Sequence, residues 1–241
     1  MKNVVRLITA ILILFGTSVW VHGADQKRGE IPYDELEETD VTKVKAVVNH
    51  RSIFRRLKKI EFTGTSKVYE FLLTRLKFSA DAVRALKIEN YRVTVKEDGT
   101  LTADDGAGAT GVFQLVYEKP GKRIYYAVGK YKGSLFRLKG RAVAVLEFDE
   151  AESKKKKMYN WVDLYFRIDN IVLSTVVRVI SPIIGPLVDK KIGYFLGATQ
   201  RICQRVTDDP KKVYDAVRNS KDVSKDDLAA FKDEFLSDRK P

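Results

Sequence analysis

Between Tyr91 and Ile168 the hydrophobic pattern repeats every second residue, which is the period of a β-strand with two distinct faces. Turn sequences such as Asp98-Gly99 and Pro120-Gly121 separate the apolar segments at hairpin spacing. We therefore predict an antiparallel meander. The candidate strands cover residues 91–96, a short piece around Leu101, 110–118, 123–131, 135–138, 141–148 and 159–168.

Helical spacing flanks this region on both sides. A short strand over 60–65 precedes two short helices, for which Ser66 and Ser79 are the expected N-caps. After Asp169 the apolar residues recur at helical spacing as far as Thr207, with an expected interruption or kink at the prolines of 181–186. The pattern predicts an α+β fold in which an antiparallel sheet packs against a long C-terminal helix.

The first 24 residues are typical of a secretory signal peptide. Lys2 and Arg6 precede an uncharged apolar run of 15 residues, Leu7 to Val21, and small or compact residues follow before Asp25. Because this run is short for a spanning helix, we expect cleavage near Gly23 or Ala24 and export, into the periplasm of a Gram-negative bacterium. The alternative is an uncleaved signal that anchors the protein in the inner membrane.

Composition argues against several kinds of chemistry. Cys203 is the one cysteine, so no intrachain disulfide can form, and His50 is the one histidine left after the signal. Neither residue has a partner at metal-ligand or nucleophile spacing, and no phosphate-binding or dinucleotide motif occurs. We assign no catalytic residue, no metal and no cofactor. The net charge of +12 falls to +10 without the signal, and in an exported protein it points to anionic membranes or ligands rather than nucleic acid.

The segments outside the predicted core are strongly charged. Residues 25–57 are expected to form an acidic, flexible lead to position 40 and then a basic segment, 42–57, with helical spacing. Residues 208–241 are expected to be a helical, charged tail. The run from Lys154 to Lys157 lies between two strands, where it is either a solvated loop or a contact to phospholipid head groups; the basic residues of this run are Lys154, Lys155, Lys156 and Lys157.

The order strand, two short helices, antiparallel strands and long helix resembles the START-like superfamily, also called SRPBCC, with its helix-grip fold. The residues that carry the likeness are Glu61-Phe62-Thr63-Gly64-Thr65-Ser66-Lys67-Val68-Tyr69-Glu70-Phe71-Leu72 and the run from Trp161 to Val206, and it covers roughly 58–207. Pro182, Pro186 and the helices beyond both ends depart from the family pattern. The resemblance implies a curved sheet around the long helix and an apolar cavity between them for a lipid, a sterol-like molecule or another hydrophobic ligand.

The last strand supplies the candidate ligand-binding residues. Its alternation places Val162 and Leu164 on one face and Asp163 on the other, together with Trp161, Tyr165 and Arg167. If that second face meets the cavity, its charges anchor a ligand head group; if it faces outward, they are surface residues. Gly197 is added because its missing side chain leaves room for a ligand or a crossing strand. The ligand-binding candidates are Asp163, Tyr165, Arg167, Tyr126, Phe195 and Gly197.

We expect an exported, non-catalytic protein that binds or transfers a hydrophobic ligand, a small molecule or a lipid, with a portal or a buried kink at 180–187. Two alternatives stay open. One is a polyketide cyclase or dehydrase-like enzyme using Asp163, Arg167, Tyr126 or Glu147 as acid or base. The other is an interaction protein with a closed core.

Overall fold

The computed structural model describes residues 28–133, 137–151, 156–169 and 174–237, with the backbone alone described for 174–187 and 189. The predicted signal peptide, Lys154 and Lys155 lie outside the described residues. Residues Ile31–Pro241 form one compact unit.

One antiparallel sheet dominates this unit, with neighbouring strands in the order β1-β8-β7-β6-β5-β4-β3 and β2 paired with β8 beyond the end of β1. It is curved and does not close into a barrel. The hairpin turns predicted at Asp98-Gly99 and Pro120-Gly121 connect the expected neighbours. The strands are β1 (Ile53–Arg56), β2 (Ile60–Thr63), β3 (Arg92–Val95), β4 (Leu101–Asp104), β5 (Ala109–Lys119), β6 (Lys122–Lys132), β7 (Arg137–Glu150) and β8 (Lys157–Ile168).

Helices cover both faces of the sheet. The first short helix after β2 is capped by Thr65 rather than Ser66, because the Thr65 hydroxyl accepts the Val68 amide at 3.4 Å. Ser79 is not a cap; its hydroxyl donates to the Leu72 carbonyl at 2.6 Å. The helices in the described chain are α1 (Glu38–Val48), α2 (Ser66–Thr74), α3 (Leu76–Ala85), α4 (Ser174–Asp208), α5 (Pro210–Val217) and α6 (Lys225–Phe235).

Helix α4 runs for 35 residues and includes both prolines that were expected to interrupt it. A proline has no amide hydrogen, so the carbonyls of residues 178 and 182 have no backbone donor four residues later. The helix continues despite losing these two hydrogen bonds.

Three local predictions were wrong. The basic segment 42–57 is not one helix: α1 ends at Val48, and β1 begins at Ile53. Residues 137–150 form one strand, so the predicted break between 135–138 and 141–148 is absent from that described stretch. Residues 31–40 are not a loose lead, because Ile31 and Leu36 are buried.

The two faces of the sheet pack against different parts of the chain. On the outer face Val44 and Val47 of α1 cover Ile124, Val143 and Val145. On the inner face the cluster formed with α2, α3 and α4 also includes residues of α5 and α6. Residues 210–235 therefore contribute to the core, although the sequence suggested a charged tail.

Candidate ligand-binding cavity

A cavity of about 470 Å³ lies between the inner face of the sheet and α4. Strands β3 to β8 form one wall, and α2, α3 and α4 contribute the rest. The lining is mostly aliphatic and aromatic. Its volume falls within the range of pockets that hold a small organic molecule, roughly 300–1,000 Å³.

The cavity follows from the size of the inward-facing side chains. Ala103, Gly111, Gly129 and Gly140 stand directly opposite one another on β4, β5, β6 and β7. Paired residues in antiparallel strands project to the same face. This line, which we name the small-residue row, places four adjacent positions with almost no side chain over the cavity.

The next line of paired residues has the same character at its centre. Ala127 and Ala142 are paired between Phe113 on β5 and Phe166 on β8. Farther along the strands, Leu146 and larger side chains fill the inner face. The open space therefore begins where the sequence changes from large to small inward-facing residues.

One face of α4 forms the opposite wall. Val188, Ile192, Phe195 and Thr199 recur at intervals of three or four residues and all line the cavity. The Phe195 ring packs on the ring of Tyr91, the residue just before β3, at a centroid distance of 4.8 Å. Phe195, one of the residues predicted to bind a ligand, therefore lies in the cavity wall.

At one end of the cavity an ion pair ties α4 to the turn between β4 and β5. The Lys191 ammonium donates to the Asp105 carboxylate and, at 3.3 Å, to the Ala107 carbonyl. Asp105 also accepts the amides of Ala107 at 2.8 Å and Ala109 at 2.9 Å. Burial alone would raise the pKa of Asp105, but the hydrogen bonds from Lys191 and the two amides outweigh it and lower the pKa.

Toward the other end the lining contains tyrosine phenols. The Asn160 amide donates to the Tyr69 hydroxyl at 2.6 Å, and the Tyr125 hydroxyl has no hydrogen-bond partner among the described residues. Burial raises the pKa of Tyr69 and Tyr125, and it raises the pKa of Tyr91 to about 12. These phenols stay protonated at neutral pH, so they are suited to hydrogen bonding rather than to acting as bases.

Four of the predicted ligand-binding residues lie on the opposite face of the sheet. Asp163 accepts two hydrogen bonds from Arg56, at 2.8 and 2.6 Å, and Arg167 donates to the Ala46 carbonyl at 3.0 Å. Tyr126 and Tyr165 pack into the cluster beneath α1. The outward-facing alternative for the last strand is therefore the one observed, and these residues are not part of the cavity.

Gly197 also lies outside the lining. A Cβ atom added there would meet nothing within 4 Å, so no strand crosses closely at this position. The close approach occurs at Gly64 instead, where an added Cβ would lie 2.7 Å from the Cys203 sulfur on α4. The prediction that Gly197 leaves room for a ligand or a crossing strand was therefore wrong.

Other kinds of site are not apparent in the described residues. They contain no group of three or more His, Cys, Asp or Glu side chains placed to hold a metal ion. Within the same part of the chain, no helix combines the length and apolarity needed to cross a membrane.

The curved antiparallel sheet that holds α4 has the helix-grip arrangement predicted from the sequence. Among solved structures, the chain is similar to a conserved protein from Geobacillus kaustophilus, with 14% identity over 61% of this chain and 93% of that one, and a TM-score of 0.44. It is also similar to a START superfamily protein from Mycobacterium smegmatis, with 13% identity over 64% of this chain and 99% of that one, and a TM-score of 0.37. A third is truncated norcoclaurine synthase from Thalictrum flavum, with 10% identity over 62% of this chain and 93% of that one, and a TM-score of 0.41.

No family model matches the sequence. No curated protein matches it either. The fold is therefore assigned from the order and register of the strands, and the proposed function rests on the cavity.

Proposed function

We propose that this protein binds a hydrophobic small molecule in the cavity between the sheet and α4 and carries it without changing it chemically. The observation that supports this most directly is the small-residue row. Four adjacent strands place alanine or glycine at positions where a closed core would have large side chains. Alanine and glycine at these positions leave space for a ligand and keep this face of the sheet apolar.

The polar groups of the lining fit binding better than turnover. The charge of Lys191 is balanced by Asp105, and the buried tyrosines carry raised pKa values. Binding energy would come mainly from removing apolar surface from water, roughly 25 cal/mol per Å². The hydroxyls and the ammonium would orient the ligand.

Cavity-filling variants test this proposal. Ala142→Leu adds bulk from a side chain that already projects toward the cavity, and we expect it to abolish uptake of a fluorescent fatty acid or sterol while the protein stays folded. Gly197→Leu is the matched control on α4, because it adds a side chain outside the cavity. Equal uptake by wild type and Ala142→Leu would contradict the proposal.

A second measurement separates a carrier from an enzyme. Mass spectrometry of organic extracts from the protein purified from its host should find one compound retained in stoichiometric amount. Conversion of that compound during incubation with the protein would instead support the cyclase-like alternative.

Export is a separate part of the proposal, supported by the charge and hydropathy pattern of residues 1–24. N-terminal sequencing of the protein from its host should begin near Ala24 or Asp25, in a periplasmic fraction. A chain that retains Met1 in the membrane fraction would overturn cleavage and favour the anchored alternative.

A further inference from the structure

Part of the outer face of the sheet lies beyond the cluster that packs under α1. Tyr159 and Trp161 project from this part of β8, with their ring centroids 6.0 Å apart. The Lys59 ammonium, in the connection between β1 and β2, lies 3.6 Å from the Tyr159 centroid and 5.8 Å from that of Trp161. Both rings are partly exposed, and Lys59 is exposed.

A second group of the same kind continues along β1. The Phe54 ring is 37% exposed, and the guanidinium groups of Arg51 and Arg56 each lie 5.9 Å from its centroid. Phe54 also packs on Tyr165, with a centroid distance of 4.9 Å. We name the surface formed by Arg51, Phe54, Lys58, Lys59, Tyr159 and Trp161 the cationic–aromatic patch.

The charge of this surface is set by a short stretch of sequence. Residues 50–59 include Arg51, Arg55, Arg56, Lys58 and Lys59 and no acidic residue. Of these residues, Arg55 pairs with Leu164 and belongs to the inner face. On the outer face, Glu61 and Asp149 lie opposite Tyr159, and Glu147 lies opposite Trp161. Three carboxylates of this region are paired with cations: Glu61 with Lys157, Glu147 with Lys122 and Asp163 with Arg56. Because β1 and β2 form the edge of the sheet, basic residues there also discourage pairing with another chain. Edge protection alone does not account for the aromatic rings between the cations.

We propose that the cationic–aromatic patch docks the protein on an anionic lipid bilayer. Partly exposed Trp, Tyr and Phe side chains suit the boundary between head groups and acyl chains, and Lys and Arg suit anionic head groups. Lys157, the first residue of β8, lies at the same edge of the sheet and on the same face as Tyr159.

The arrangement of the rings favours a bilayer over single-stranded nucleic acid. Proteins that bind single strands stack bases on free aromatic faces. Here Lys59 occupies the face of Tyr159 at 3.6 Å, and two guanidinium groups lie near Phe54. The exposed Lys59 ammonium can reach a phosphate group from above the Tyr159 ring, whereas Arg56 is already paired with Asp163.

The test compares two variants with equal loss of charge. Lys58→Gln combined with Lys59→Gln removes two cations of the patch, and Lys221→Gln combined with Lys225→Gln removes two exposed cations near α6. In sedimentation with vesicles of phosphatidylglycerol and phosphatidylcholine at low salt, we expect the patch variant to bind about 25-fold more weakly, since each cation contributes on the order of fivefold. The control variant should lose less than about threefold, and both should melt at the wild-type temperature.

Fluorescence then locates the contact. The chain has two tryptophans, Trp20 and Trp161, and Trp20 lies in the segment proposed to be cleaved, so Trp161 is the reporter in the protein that begins at Asp25. Vesicles with brominated acyl chains should quench its emission. Absence of vesicle binding, equal losses in both double variants, an unquenched Trp161 in the bound protein, or tighter binding to a single-stranded oligonucleotide would each overturn the proposal.

This inference is independent of the proposed ligand function. Ala142→Leu should bind vesicles as the wild type does, because the cavity lies on the other face of the sheet. A loss of vesicle binding in that variant would overturn the assignment to the patch. A failure of ligand uptake alone would leave it standing.

Discussion

The inner face of the sheet has two ends of opposite character. At the filled end, Tyr69, Phe148, Met158 and Ile202 pack side chain against side chain with almost no exposure. At the hollow end, the small-residue row faces α4 across about 470 Å³ of open space. Strands β5 to β8 and helix α4 run through both ends, so the difference lies in side-chain size and not in backbone architecture.

This contrast separates stability from binding along the same strands. Buried aromatic and aliphatic side chains at the filled end supply most of the favourable packing. At the hollow end, small side chains make fewer packing contacts and leave room for a ligand. Substitutions at the two ends should therefore affect different properties of the protein.

The largest expected effect is at the filled end, for Phe231→Ala on α6. Phe231 is fully buried and its ring contacts Phe71, Phe78 and Phe235. Removing it should lower the free energy of unfolding by about 3–5 kcal/mol, measured by urea denaturation. A loss below about 1 kcal/mol would mean that α6 is a dispensable tail and that the filled end stops at α3.

The second effect is a pH dependence of stability at the same end. Burial raises the pKa of the Cys203 thiol to about 12, above its usual value near 9. The unfolded chain then releases this proton at lower pH than the folded chain, so the thiol's stabilising contribution is complete below pH 9 and is lost as pH rises toward 12. The free energy of unfolding should fall by up to about 1.4 kcal/mol per pH unit above pH 9.

Cys203→Ala is the control for that slope. We expect it to reduce the pH dependence just above pH 9, because the unfolded tyrosines, whose usual pKa is 10.0, add to the slope mainly at higher pH. An unchanged slope in the variant would assign the effect to other groups and would mean that the filled end admits solvent at Cys203.

A smaller effect is expected at the hollow end, where neighbouring positions on β7 point to opposite faces. Ala142→Leu extends into open space and should change the free energy of unfolding by less than about 1 kcal/mol, whereas Val143→Phe beneath α1 overpacks a closed core and should cost about 1–3 kcal/mol. Thermal or urea unfolding of the pair measures the difference. Equal destabilisation by both would show that the hollow end collapses in solution.

The smallest effect concerns two glycines in different surroundings, Gly197 on α4 and Gly64 between β2 and α2. Gly197→Ala should raise the free energy of unfolding by about 0.4–1 kcal/mol, because the new methyl group meets nothing and alanine favours a helix. Gly64→Ala on the facing chain should do the reverse, since its Cβ would lie 2.7 Å from the Cys203 sulfur. Stabilisation by both substitutions would rule out a close crossing at Gly64.

The sequence predicted most of the sheet because its strands carry two-residue periodicity and glycine-containing turns. Strand β1 escaped prediction because four residues, Ile53–Arg56, are too few to establish a period within a basic segment that also fits helical spacing. The same shortage of signal concealed the packing of α1, whose buried residues are widely spaced among charged ones.

The cavity could be inferred but its lining could not be chosen correctly. Periodicity divides β8 into two faces, yet both carry aromatic residues, because helices cover both faces of the sheet. Which face is inner depends on α1 and α4, far away in sequence. A usable signal was present in Gly140, Ala142 and Ala144, and in Ala127 and Gly129, where small residues alternate along two strands.

The pairing of the first strand with the last governs when this protein can fold. Ile53 pairs with Phe166 and Arg56 with Asp163, across more than a hundred residues. The hairpins of β4 to β7 join strands that are close in sequence and can form early in folding, but β1 has no partner until β8 is in place. Such distant contacts slow folding. The exposed edge of the sheet is thus completed last. Until then, the basic residues of β1 discourage the unpaired strand from pairing with other chains.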